Sequence, residues 1–255
     1  MQNYDNSQFE GKVALVTGGN SGIGKETALA FAHRGTSVVI VARREAEGLE
    51  TVDIIRGAGG EAEFVQTDVS DIRQVDAMIS HTIKSFGRLD FAFNNAAILG
   101  DPAPIHEYSQ EVWNDVISVN LTGTFLCMQA EIKHMMANGG GSIVNTASIN
   151  GMRGTPNNLA YSTSKWGVIG MTKGAAKGYG QYGIRVNAVS PGLIDTPMVR
   201  PGLEDEELLN KVIKNYPLGR IGQPKDIAEA VVWLCSDSAS FITGVSLPIE
   251  GGTTA

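Results

Sequence analysis

Only two cysteines occur in the 255 residues, Cys127 and Cys235, 108 positions apart and outside any CxxC pair. That usage excludes a disulfide-built scaffold and fits a reducing cytoplasm, the expected location. Long apolar runs are missing too. The longest is Ala230–Cys235, six residues, where a membrane-spanning helix needs about 20. Basic runs stop at Arg43-Arg44, and 27 acidic against 20 basic side chains leave a formal charge of −7. Neither nucleic acid nor an anionic membrane is therefore an expected partner. The four histidines, His33, His81, His106 and His134, share no ligand spacing, so no metal is expected. The opening MQNYDNSQFEG has no charged n-region and no apolar h-region, so no cleaved leader is expected.

What is present is a globular balance, 42% hydrophobic and 18% charged residues, with an excess of glycine. Short β-branched runs recur at Lys12–Thr17, Ser37–Val41, Glu63–Gln66, Leu89–Phe93, Ser142–Asn145, Ile184–Ala188 and Gly244–Leu247. Between them lie segments of helical spacing, such as Ile23–His33, Gln74–Phe86 and the long stretch Val112–Met136. Continuous apolar strands alternating with helices predict a parallel sheet covered on both faces. The expected fold is α/β: one doubly wound, Rossmann-like domain over residues 1–255, of about seven strands, binding ligands at the strands' carboxyl ends. Segment 192–217 is expected to be a flap over the substrate. Its charge run Glu204-Asp205-Glu206-Glu207 suits a helix N-terminus.

The first strand runs into Thr17-Gly18-Gly19-Asn20-Ser21-Gly22-Ile23-Gly24, after which a helix begins. Glycines allow a tight turn and close approach of a pyrophosphate, which the free N–H groups of the helix start would hold. Gly18, Asn20, Ser21, Gly22, Ile23 and Gly24 are thus candidate cofactor residues. Strand two ends Val41-Ala42-Arg43-Arg44. An acidic residue here would take a ribose 2′-hydroxyl, whereas arginine suits a 2′-phosphate. Arg43 and Arg44 therefore favour NADP(H), with NAD(H) possible.

Tyr161 and Lys165 stand four apart in a helical stretch and share one face. A free tyrosine is a poor base at neutral pH, and an ammonium one turn away is expected to favour its phenolate. Ser148 ends the strand Ser142–Ala147, thirteen positions before Tyr161, where its hydroxyl could hold a substrate oxygen. Asn120 lies inside a helical segment, an unfavourable place for an asparagine without a task. Asn150, Gly151 and Met152 could line the substrate pocket beside Ser148 and Tyr161.

TGxxxGxG opening a chain of this length, followed by Asp68-Val69, Asn94-Asn95-Ala96-Ala97, Asn120, Ser148, Tyr161-x-x-x-Lys165 and Pro191-Gly192, resembles the short-chain dehydrogenase/reductase family along its whole length. The resemblance implies that Asp68 and Val69 flank an adenine and that Asn95 and Ala96 floor the cofactor groove. It implies that Lys165 grips the nicotinamide ribose, and that Asn120 supports Lys165 through a bound water. Pro191, Gly192, Ile194 and Thr196 would lie over the nicotinamide. Ala97 departs from the family's usual glycine, and Ala42 stands where NAD-dependent relatives resemble one another in carrying Asp. The activity implied is hydride transfer between NADP(H) and a carbonyl or secondary alcohol, with Tyr161 moving the proton. Open alternatives are an NAD-dependent alcohol, sugar or cyclic-diol dehydrogenase and a non-catalytic dinucleotide sensor. Enoyl reduction is disfavoured by the Tyr–Lys spacing. Relatives of this kind use the last strand and its neighbouring helix to form a tetramer, so a homotetramer or homodimer is expected.

Overall fold

A computed structural model describes residues 6–255; residues 1–5 of the N-terminal start read above for a leader lie outside the described residues. Seven strands form one sheet: β1 Val13–Thr17, β2 Ser37–Ala42, β3 Ala62–Gln66, β4 Phe91–Asn94, β5 Gly141–Thr146, β6 Ile184–Pro191 and β7 Ser246–Ile249. Their order is β3-β2-β1-β4-β5-β6-β7 and every pairing is parallel. The helices are α1 Gly22–Ala32, α2 Glu45–Gly57, α3 Ile72–Phe86, α4 Gln110–Ile117, α5 Thr124–Ala137, α6 Leu159–Tyr179, α7 Glu206–Ile213 and α8 Pro224–Cys235.

The alternation of strand side chains explains why the runs are apolar throughout. Ala14 and Val16 of β1, with Val38 and Ile40 of β2, join a core with α1, α2 and α8. Leu15, Val39 and Val41 point the other way, into a core with α3 and α5. Both faces are covered, so the polar side chains inside the central strands, such as Asn145 of β5 and Asn187 of β6, are buried and hydrogen-bonded. The strand order reverses between β1 and β4, which opens a crevice at their carboxyl ends.

Two details differ from the sequence reading. The stretch 112–136 is not one α-helix: α4 and α5 are joined by a π-helical turn, Ser118–Gly123, which holds Asn120. Side-chain chemistry there competes with regular winding. The Asn120 amide bonds the backbone of Ile98, and Thr124 Oγ1 donates to the Asn120 carbonyl at 2.8 Å. Ser148, read as the end of β5, lies two residues beyond it. It caps a short 3-10 turn, where its Oγ accepts from Asn150 N at 3.1 Å.

Candidate active site

The glycine turn after β1 fits a dinucleotide phosphate by its shape. Gly18 has φ +64, and a Cβ there would stand 2.8 Å from Asn95 Nδ2 and 3.2 Å from the Ala96 backbone. A side chain on Gly24 would collide with the Gly18 carbonyl, so α1 can start this close only with glycine. Ser21 is the N-cap of α1 yet makes no side-chain capping bond. The N–H groups of Gly22, Ile23 and Gly24 therefore receive no capping side chain, and Gly22 and Ile23 line the crevice, as an anion site requires. Asn95 and Thr17 brace this turn: Asn95 Nδ2 donates to Thr17 O, and Thr17 Oγ1 accepts from the N–H groups of Asn95 and Ala96.

A cleft of about 540 Å³ runs from this turn across the ends of β1, β4 and β5. At one end lie Arg43, Arg44, Asp68 and Val69, at the other Ser148, Tyr161 and Lys165, with Ile194 and Thr196 over the glycine turn. Arg44 reaches back to that turn, donating to Ser21 Oγ at 3.3 Å and, with the Asn20 amide oxygen turned toward it, to Asn20 at 2.9 and 3.1 Å. It also pairs with Glu47 at 3.2 Å. Arg43 is exposed and lies near Asp68. Burial pushes the Asp68 carboxyl up, but two hydrogen bonds from Ser70 and the Arg43 charge outweigh it and hold its pKa below the ordinary value.

At the reacting end the electrostatics differ from the sequence expectation. Lys165 is buried, with Nζ 5.4 Å from the Tyr161 ring centre and donating to the Thr146 carbonyl at 2.8 Å. Burial pulls its pKa down to about 7. Burial also pushes the Tyr161 hydroxyl above its ordinary value, and the neighbouring Ser148 hydroxyl pulls it partly back. Desolvation thus outweighs any help the phenolate receives from an ammonium. Asn120 is buried behind this pair, outside the cleft wall. Asn150 does not line the cleft; its backbone N–H serves Ser148 instead.

Residues 18–254 match the family model described as enoyl-(acyl carrier protein) reductase. The chain is also 42% identical to cyclohexanol dehydrogenase of Acinetobacter sp. (strain SE19), over the full length of both. The chain belongs to the short-chain dehydrogenase/reductase family. Among solved structures it is similar to levodione reductase, with a TM-score of 0.91 and 39% identity over 96% of this chain and 98% of that one. It is equally similar to NAD⁺-bound xylitol dehydrogenase, with a TM-score of 0.92 and 34% identity over 96% and 100%. As a member of this family the chain is an NAD(P)-dependent oxidoreductase acting on CH–OH and C=O groups.

Sequence reasoning missed Thr146 and Thr17, whose backbone and hydroxyl oxygens hold Lys165 and the backbone N–H groups of Asn95 and Ala96. Both end strands that read simply as core. The only signal was a polar residue closing an apolar run. Among the described residues no group of three His, Cys, Asp or Glu is placed to hold a metal, and no helix is long and apolar enough to cross a membrane.

Proposed function

We propose that the protein interconverts a neutral cyclic secondary alcohol and its ketone with NADP(H), Tyr161 moving the proton. The observation that carries this reading is that Ser148, Tyr161 and Lys165 share one cleft with the glycine turn and Arg43. When bound, the nicotinamide supplies the hydride chemistry. The chain's own residues do the rest. First-turn amides of α1 hold the diphosphate, and Arg43 with Arg44 takes the 2′-phosphate that Ala42 does not repel. Lys165 holds the ribose hydroxyls. Ser148 donates to the substrate oxygen, and Tyr161 gives its proton to that oxygen in reduction or accepts one in oxidation. Lys165 would lower the tyrosine's pKa toward the working range, aided by the positive charge that an oxidised nicotinamide would supply.

The substrate class rests on the walls. Ala97, Ile98, Leu99, Val119, Met198 and Val199 line the cleft and carry no charge, and a similar protein is named for cyclohexanol. NAD(H) is the second reading, favoured by the NAD⁺-bound neighbour and by Glu47, which occupies Arg44. Segment 192–217 serves as the flap within a single catalytic domain. The buried free cysteines suit the cytoplasm. A homotetramer is supported by β7 as a sheet edge and by Trp233 of α8 and Phe241, which are exposed while Val231 and Val232 are buried.

The test is Tyr161→Phe with cyclohexanol and cyclohexanone as substrates. Turnover is expected to vanish while NADPH binding, followed by nicotinamide fluorescence, stays within about 2-fold, because the phenyl ring is kept and only the proton donor is lost. Substantial residual turnover removes Tyr161 from the proton step.

A further inference from the structure

The Tyr-x-x-x-Lys pattern leaves Ser164 unassigned, yet it is fully buried and sits between the two halves of the reacting end. The Asn120 amide nitrogen has two hydrogens. One goes to the Ile98 carbonyl at 2.8 Å and the other to Ser164 Oγ at 3.3 Å, while its oxygen accepts from Ile98 N at 2.8 Å. Ser164 Oγ passes its own hydrogen to the Tyr161 carbonyl at 2.7 Å. A continuous hydrogen-bonded chain therefore runs from the loop after β4, through the π-helical turn, to the backbone of the residue that carries the phenol.

We infer that Ser164 is a positioning residue: its hydroxyl locks α6 to the π-helical turn and so fixes Tyr161 and Lys165 relative to Ser148. The inference rests on the reading that Tyr161 moves the proton. Ser164 has no direct contact with the reacting groups. Three physical facts support the role. A serine hydroxyl bonded to a carbonyl three residues back loads an acceptor the helix already uses, a local bend that helices tolerate where something is gained. Removing the hydroxyl leaves a buried Asn120 N–H without a partner, an unfavourable state that the turn relieves only by shifting. A shift of a fraction of an ångström in a proton-transfer geometry changes rate far more than affinity.

The experiment is Ser164→Ala, with Ser164→Thr as the variant that keeps the hydroxyl, assayed for cyclohexanol oxidation from pH 6 to pH 10. Expected for Ser164→Ala is a fall in kcat of roughly 10-fold at pH 7, with KM and cofactor Kd within about 2-fold. Because a displaced Lys165 supports the phenolate less, the limb on which Tyr161 must be ionised moves to higher pH, and the deficit shrinks toward pH 10. Ser164→Thr recovers the wild-type profile. A deficit equal at every pH, or none, overturns the inference. If Ser164→Ala does not accumulate folded, Ser164→Cys, of similar size and a weak donor, is read in the same way. Tyr161→Phe is run beside it. An active Tyr161→Phe removes the proton-transfer reading itself, whereas an inactive one with an unchanged Ser164→Ala profile overturns the role of Ser164 alone.

Discussion

Lys165 Nζ donates to the Thr146 carbonyl across 2.8 Å, in a site where the lysine is otherwise enclosed. Burial sets its pKa near 7, against a value above 10 in an unfolded chain. The folded protein therefore binds fewer protons than the unfolded one between about pH 7 and 10.5, and stability contributed at this position rises with pH through that window. Below pH 7 the full penalty of the buried charge is present. Lys165→Met is expected to raise Tm at pH 6 while abolishing turnover, with the advantage shrinking as pH rises. One lost hydrogen bond to Thr146, about 1 kcal/mol, is smaller than the few kcal/mol of charge burial it relieves. A variant melting below wild type at pH 6 would show that the ammonium stabilises the fold.

On the proposed reading, cofactor choice is set at the end of β2. Ala42 is buried there and lines the cleft, with Arg43 exposed beside it. Ala42→Asp places a carboxylate where the 2′-phosphate would sit and should weaken NADPH by roughly 10-fold or more while improving NADH. Arg43→Ala should weaken NADPH alone, by a factor that falls as salt is added. Side-by-side fluorescence titrations with NADPH and NADH at fixed ionic strength read both. Tighter binding of NADH by the wild type would make Arg43 a bystander and favour oxidation with NAD.

Most of the fold was legible because the central strands are buried on both faces and so read as short, largely apolar runs, from Val13–Thr17 to Phe91–Asn94. The site residues were legible where chemistry requires a side chain: Tyr161, Lys165 and Ser148 do line one cleft. What was not legible depends on tertiary contacts. The π-helical turn at Asn120 exists because Ile98, distant in sequence, offers both backbone groups to its amide. Asn150 looked like a pocket residue by proximity to Ser148, but a capping turn directs its backbone to that serine instead. The desolvation that separates Tyr161 and Lys165 from their ordinary pKa values depends on depth, which spacing cannot report.

Beneath the site, Asn94 and Asn145 face each other on β4 and β5, and Asn94 Nδ2 donates to both Asn145 Oδ1 and Glu131 Oε2 at 3.0 Å. Glu131 is wholly buried, with Oε1 lacking any partner, and burial pushes its pKa up to about 7 against the pull of Asn94. The folded state keeps a proton that the unfolded chain releases near pH 4.5, so this group's stabilising contribution is complete below that value and is lost as pH rises through about 7. Glu131→Gln removes the titration and should flatten the decline of stability between pH 5 and 7.5. The gain at pH 7.5 is expected to reach about 3 kcal/mol at most. Denaturant unfolding of both proteins across that range measures it; parallel curves would mean Glu131 stays ionised.

The two ends of segment 192–217 are joined by a bond, Leu193 N donating to Tyr216 Oη at 2.9 Å, with the tyrosine ring buried. Gly192 beside it has no room for a side chain, since a Cβ would stand 2.9 Å from that of Glu250. The base of segment 192–217, which carries α7, is thereby tied together. Tyr216→Phe keeps the ring and removes only the acceptor, leaving the Leu193 N–H without its partner at a cost of about 1–3 kcal/mol. Tm should fall by several degrees. If the segment closes over the substrate, KM for the alcohol rises more than kcat falls, because the closed arrangement is less populated while the proton-transfer groups are untouched. A lower Tm with KM unchanged would assign the Leu193–Tyr216 bond to stability alone and place the substrate's cover elsewhere.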